Sequence, residues 1–258
     1  MTDVESKIAS LDISLFDAIN SQSMPEDRHS FLLVQKAVRN LVGQFAYLEI
    51  GSHLGGTIQP YLADPMCIRI YSIDKRPAVQ EDYRGLRFAY PDNSTKRMLE
   101  LLSKVSAKDI PKIECIDDDA SNVDVAKIAH RPSICLIDGE HTERAVLSDF
   151  AFCRRVLAER GVICFHDSNV VFAAIQKIIV QLQQEQATFN AYVLPLHVFV
   201  IEFGGLAIHQ EADILSGLVN NHAAYLAGLI SNDFDREFYN HWLFRKLRRL
   251  WRGLHRNH

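Results

Sequence analysis

The sequence predicts an α/β fold: a mostly parallel sheet with helices on both faces, an antiparallel hairpin closing one edge, and further helices at both ends of the chain. Three observations carry that prediction. Short apolar runs rich in Ile, Val, Phe and Tyr, most of them ending in an acid or Gly, alternate with helix-compatible stretches. Strands that alternate with helices in this way join through right-handed crossovers into a parallel sheet buried on both faces. The last two runs, within 191–203, leave no room for a helix between them, so they form a hairpin.

In chain order, residues 1–29 are expected to form an N-terminal helical extension. Residues 30–43 place Leu32, Leu33, Lys36, Ala37, Asn40 and Leu41 at helical offsets, with Gly43 suitably placed to stop that helix. Strands are expected at 46–50, 68–74, 112–117, 133–138, 161–167 and 197–203, with helices at 55–63, 94–105, 120–129, 142–158 and 170–186 between them. The stretch 75–93 is polar, holds two prolines and one glycine, and follows neither period. It reads as an inserted loop near the carboxyl edge of the sheet, where lids and substrate contacts commonly lie. The main domain then covers 30–204. A C-terminal extension, 205–258, carries helices around 209–230 and 234–254.

Composition narrows the class. At 258 residues, 48% hydrophobic and 23% charged, the chain has a globular composition and not that of a disordered one. No apolar run reaches the roughly 18 residues a membrane span needs. The N-terminus carries early acids and neither a basic nor an apolar signal region, so the expected location is the cytoplasm. Five cysteines form no CxxC cluster, and Cys115, Cys135 and Cys164 sit in strand-like apolar runs, so they read as reduced and structural.

The chemistry begins at residues 47–57, YLEIGSHLGGT, a buried strand running into a glycine turn and then a helix. Glycine lets the backbone approach a ligand closely and takes positive φ without steric cost. The spacing Glu49-x-Gly51-x-x-x-Gly55 is not the GxGxxG of nicotinamide and flavin sites. It resembles the first motif of S-adenosylmethionine (SAM)-dependent methyltransferases. Asp74 ends the second strand 23 residues after Gly51, where an acid can accept both ribose hydroxyls of an adenosine cofactor. CIDDDAS (115–121) resembles the third-strand acidic motif that meets adenine, and LIDGEH (136–141) the fourth-strand motif that faces the methyl group.

From residue 30 to 204 the chain therefore resembles a class I SAM-dependent methyltransferase, which implies a Rossmann-like, seven-stranded sheet. IDGEHTERAVLSDF followed by LAERGVICFHD is similar to a branch with IDG-x-H and HD segments that includes metal-dependent sugar O-methyltransferases. The resemblance implies that Glu49 and Gly51 border the methionine moiety, Asp74 the ribose, and Asp119 with Ala120 the adenine, with Ser52, Gly55, Asp118 and Asp138 also binding the cofactor and the strand tip at Asp138 facing the methyl group. Which of Asp117, Asp118 and Asp119 meets the base stays open.

Asp138 and Asp167 each follow a buried run, so both carboxylates should emerge at the carboxyl edge of adjacent strands, the edge where open α/β sheets bind ligands. Two carboxylates suit a hard divalent cation such as Mg2+, which would acidify a substrate hydroxyl. His166, beside Asp167, joins them as a candidate ligand, although related sites often have an acid there. Asn169 is a third candidate, one residue out of the usual register. His141, with Asp138, is the candidate catalytic base, positioned to take the hydroxyl proton before attack on the SAM methyl. Thr142 would cap the following helix.

Residues 238–256 form a stripe of Tyr239, Leu243, Leu247, Leu250 and Leu254 opposite Arg245, Arg248, Arg252 and Arg256. This helix is read as packed on the domain with a solvated basic face, with peripheral contact to an anionic membrane as the alternative. Nucleic acid is not an expected partner, since the rest of the chain is acidic. The partners expected are a small-molecule or glycan acceptor and, left open, a second copy of the chain. The function expected is O-methylation of a sugar, glycan precursor or small metabolite. An NAD-dependent oxidoreductase and a non-catalytic SAM-binding scaffold are the alternatives.

Overall fold

In the computed structural model, residues 2–81, 87–219 and the single positions 221, 222, 226, 230 and 246 are described. Apart from Lys246, the segment 238–256, read as a basic amphipathic helix, lies outside them. Two helices come first, α1 (Asp3–Ala9) and α2 (Pro25–Val42), followed by β1 (Phe45–Ile50), α3 (Gln59–Ala63) and β2 (Cys67–Ile73). A small hairpin of β3 (Val79–Glu81) and β4 (Arg87–Ala89) leads to α4 (Thr95–Ser106) and β5 (Ile113–Ile116). Next are β6 (Ile134–Ile137), α5 (Glu143–Val156), β7 (Gly161–Phe165) and α6 (Phe172–Gln184). The chain then forms β8 (Phe189–Val193), β9 (Phe199–Phe203) and α7 (Ala212–Leu218).

The main sheet has seven strands in the order β5-β2-β1-β6-β7-β9-β8. β5, β2, β1, β6 and β7 pair in parallel, while β9 pairs antiparallel with both β7 and β8. This is the sheet of the Rossmann-like methyltransferase fold, with the expected hairpin at its edge. The central parallel strands β1, β6 and β7 are buried on both faces, and the side chains of the parallel strands alternate between two cores. Tyr47, Ile70, Ile134, Leu136, Val162 and Cys164 face the core that holds α2 and α3. Leu48, Tyr71, Cys135, Ile137, Ile163 and Phe165 face the core under α5 and α6. Period-two alternation into two apolar layers explains why the runs are apolar throughout.

Three expectations change in detail. The helix expected from 30 begins at Pro25, because proline suits the first helical position and the Asp27 carboxylate accepts the Met24 N–H at 3.4 Å. The helix expected at 120–129 is instead two short 3-10 turns, Ala120–Asn122 and Val125–Lys127. Asp119 and Asp124 each accept the N–H two residues on, at 2.9 Å, which satisfies the backbone locally and breaks the segment into turns. The loop expected at 75–93 contains the β3/β4 ladder. Among the described residues, no helix is long and apolar enough to cross a membrane.

Strand order reverses between β1 and β6, so the chain leaves these two strands in opposite directions and opens a crevice at their carboxyl ends. The candidate site lies there.

Candidate active site

β1 ends at Gly51, whose φ of +92° belongs to glycine. A Cβ on Gly51 would lie 2.2 Å from the Asp138 carbonyl oxygen, so the turns after β1 and β6 meet backbone to backbone. Next in the chain, Ser52 is buried and shares a hydrogen bond of 2.5 Å with Ser72. His53 takes φ +45° and donates its N–H to Asp74 Oδ2 at 2.8 Å. The other carboxylate oxygen of Asp74 accepts the N–H of Arg76 at 2.7 Å. The buried Arg76 guanidinium braces this turn, donating to the His53 carbonyl, to Ser72 Oγ at 3.2 Å and to Asp117 at 3.2 Å. Asp74 thus orders two loops and still has lone pairs to offer.

Glu49 points into the same crevice but is only 1% exposed. Tyr47 donates its hydroxyl to it at 2.8 Å, and Thr57 donates to the other oxygen. Burial raises its pKa to about 8, so it is largely protonated at neutral pH. Gly55, also at positive φ, is required for another reason. A Cβ there would meet Leu102 Cδ1 at 2.9 Å, and Gly55 does not line the crevice.

The crevice is a cavity of about 1020 Å³ including its open mouth. Glu49, Gly51, Ser52, Asp74, Asp118, Asp119 and Ala120 line one part of it. Asp138, His141, His166 and Asp167 line another, while Asp117 and Asn169 stay outside the wall. Asp117 instead meets Arg76 and Thr95.

Asp138, His141 and Asp167 form one cluster whose ligand atoms lie within 4.8 Å of one another. His141 Nε2 is 3.5 Å from Asp167 and 4.0 Å from Asp138, and it is buried without a hydrogen-bond partner among the described residues. Burial opposes charge on this ring, but Asp138 and Asp167 outweigh it and raise its pKa. Asp167 holds the left-handed φ of +47°, a conformation Asp tolerates and one that recurs where a site fixes a side chain.

His166 occupies a different position from the one expected of a ligand. Its Nδ1 is 2.9 Å from Asp138 and its Nε2 is 3.3 Å from Asp27 of α2, so both ring nitrogens are engaged by carboxylates. The ring also packs on Phe31, with centroids 5.6 Å apart. Burial disfavours its charge, yet Asp138 and Asp167 raise its pKa well above the ordinary histidine value. Asp138 is held well below the usual carboxylate range, because His166 and His141 offset its burial.

Several cavity residues carry no motif. Lys75 bridges Glu140 at 3.0 Å and Asp119 at 3.3 Å across the mouth. Asn20, Ser21 and Gln22, from the N-terminal segment, also line the cavity. Asp27 comes from a helix 139 residues before its partner, so no local pattern could have found it. Asp149 could have been found, since it falls on the apolar stripe of α5 with Val146, Phe150 and Cys153.

Residues 48–168 match a family described as methyltransferase domain. No curated protein sequence gives a significant match. CalS11, a calicheamicin methyltransferase, shares the fold with a TM-score of 0.51 at 15% identity, over 79% of this chain and 94% of that one. MycE, a methyltransferase from the mycinamycin biosynthetic pathway solved with Mg and SAH, has a TM-score of 0.50 at 15% identity, over 78% of this chain and 55% of that one. The family match and the sheet order agree on the fold of a class I methyltransferase.

Proposed function

We propose that the chain is a SAM-dependent O-methyltransferase acting on a hydroxyl of a sugar, glycan precursor or small metabolite. One observation carries the reading: a single crevice, at the point of strand reversal, is lined by the glycine turn, Asp74, Asp119 and Ala120 together with Asp138, His141 and Asp167. The binding of SAH by MycE supports the same cofactor class here.

Bound together, SAM would supply an electrophilic methyl group and Mg2+ would acidify the acceptor hydroxyl. The donor set fits such a cation through Asp138 and Asp167, whose hard oxygens lie close together. His166 has no free nitrogen for it, so Asp138 and Asp167 are the proposed ligands and His166 holds Asp138 in place. His141 Nε2 has no hydrogen-bond partner among the described residues and two carboxylates beside it, which suits a group that receives a proton from the hydroxyl. Asp74 would accept the ribose hydroxyls. Asn20, Ser21 and Gln22 give the acceptor side of the rim a polar character that matches a polyhydroxylated substrate.

Calorimetry with SAH, followed by SAM turnover against a panel of sugar and nucleotide-sugar acceptors with and without EDTA, tests the reading. Binding of SAH with turnover of a hydroxylated acceptor is the expected result. Absence of SAH binding at high micromolar concentration overturns it.

A further inference from the structure

At one end of the crevice the wall is made of small residues, Ala120, Gly139 and Ala145, with the carboxyl groups of Asp118, Asp119, Glu140 and Asp149 among them. Three of these carboxyls are already engaged. Asp118 accepts the Asp119 N–H at 2.7 Å and the Asn122 amide at 2.9 Å. Asp119 accepts from Ser121 at 2.9 Å and meets Lys75 at 3.3 Å. Glu140 meets Lys75 at 3.0 Å and accepts from Thr142 at 2.8 Å.

Asp149 differs. It is 6% exposed, projects from α5 where that helix packs against the Ala120–Asn122 turn, and makes no hydrogen bond or ion pair to any described residue. Its Oδ2 lies 3.5 Å from where a Cβ on Gly139 would stand, so the carboxyl sits beneath the backbone that floors the slot. Its oxygens are left to the cavity that it lines, and burial of the residue raises its pKa to about 7, with Asp119 adding to the shift. A carboxyl that faces only solvent inside a cavity can exchange it for a donor that a ligand brings.

We propose that Asp149 reads the base of the cofactor, its carboxyl oxygen accepting an N–H from the exocyclic amine of adenine. This rests on the SAM-dependent reading of the same crevice and adds a specificity determinant to it. A purine is flat, and the small residues Ala120, Gly139 and Ala145 line the same cavity as Asp149. The amine donates in either protonation state of the carboxyl, since the carbonyl oxygen of a protonated Asp still accepts. A nearby neutral carboxyl can also donate to a ring nitrogen, which gives the pairing that an Asn side chain makes with adenine.

The test pairs two ligands with two variants. SAH and its analogue with unsubstituted purine, which lacks the exocyclic amine, are titrated calorimetrically into the wild type, Asp149→Asn and Asp149→Ala. The wild type should bind SAH about tenfold more tightly than the analogue, and Asp149→Asn should keep that ratio. Asp149→Ala should bind both ligands equally. Unliganded Asp149→Asn and Asp149→Ala should melt close to the wild-type temperature, because the carboxyl makes no hydrogen bond or ion pair to any described residue. A structural role for Asp149 would lower melting in both. Equal binding of the two ligands by the wild type, or an unchanged ratio in Asp149→Ala, overturns this inference and leaves the proposed function standing. Binding of neither ligand by the wild type overturns both.

Discussion

Asp27 Oδ2 lies 3.3 Å from His166 Nε2, on the far side of the ring from Asp138, which is 2.9 Å from Nδ1. The first turn of α2 therefore reaches into the carboxyl edge of the sheet and fixes a ring that in turn fixes Asp138. Asp27 also accepts the N–H of His197 at 3.0 Å. Removing one partner of a buried pair leaves the other uncompensated, at a cost of about 3 kcal/mol or more. Asp27→Ala should lose stability on that scale in urea melts. Asp27→Asn, which keeps an acceptor for His197, should fall between it and the wild type. Equal midpoints for all three proteins would mean that the pairing contributes nothing.

The same cluster sets a pH dependence whose sign follows from the shifts. His166 has a raised pKa, so its contribution is complete below about 6.5 and is lost as pH rises through the higher folded value. Glu49 is raised from 4.5 to about 8, so the folded state binds a proton that the unfolded state has lost over that interval. Stability should then decline between pH 5 and 8, by up to ~1.4 kcal/mol per unit from Glu49 alone. Asp138 acts oppositely, with its contribution lost only as pH falls through its lowered value. Glu49→Gln preserves the shape and should flatten the decline. Melts at half-unit steps would reveal an unaltered slope if Glu49 were ionised in the folded protein.

The parallel strands were legible because burial on both faces demands unbroken apolar runs, and Gly51, Asp74, Asp138 and Asp167 were legible because they end those runs. Other features were not. The segment 120–129 has helical periodicity, but Asp119 and Asp124 draw their own backbone into turns, a local competition that periodicity does not register. Gly55 matches the motif spacing, while its structural demand comes from Leu102 on α4. The clamp on His166 is a tertiary contact from a helix that no motif includes.

Asp74, placed at the ribose by its position at a strand tip, also accepts the N–H groups of His53 and Arg76 at 2.8 and 2.7 Å. Asp74→Ala should therefore weaken SAH binding about tenfold or more and also lower stability by about 1 to 3 kcal/mol, through the two N–H groups it abandons. Asp74→Asn, which still accepts through one oxygen, should lose less of both. Calorimetry and thermal melts on the same samples separate the two effects; wild-type affinity in Asp74→Ala would remove the ribose from this strand tip.

Gly51→Ala combines a positive φ with a Cβ placed 2.2 Å from the Asp138 carbonyl. The left-handed conformation costs about 1 to 2 kcal/mol for a residue with a Cβ, and the backbone contact forces β1 and β6 apart in addition. The variant should melt well below the wild type and lose SAH binding. A folded Gly51→Ala with normal affinity would mean that the two turns separate easily and that their contact does not shape the cavity.

The last prediction concerns the cation. If Asp138 and Asp167 hold it, Mn2+ should bind the wild type stoichiometrically, as read by the electron-spin signal of the free ion, and Mg2+ should compete. Asp167→Asn removes one charged oxygen at the outer edge of the cluster and should weaken Mn2+ by about tenfold or more while leaving SAH affinity within about twofold. His141→Ala should leave Mn2+ affinity nearly unchanged if the ring serves as base, and should weaken it comparably to Asp167→Asn if Nε2 is a ligand. The distinction follows from geometry, because His141 lies 3.5 Å from Asp167 and can either share an ion with it or take a proton beside it. Absence of Mn2+ binding, together with turnover indifferent to EDTA, would leave Asp138 and Asp167 to raise the basicity of His141 by charge alone.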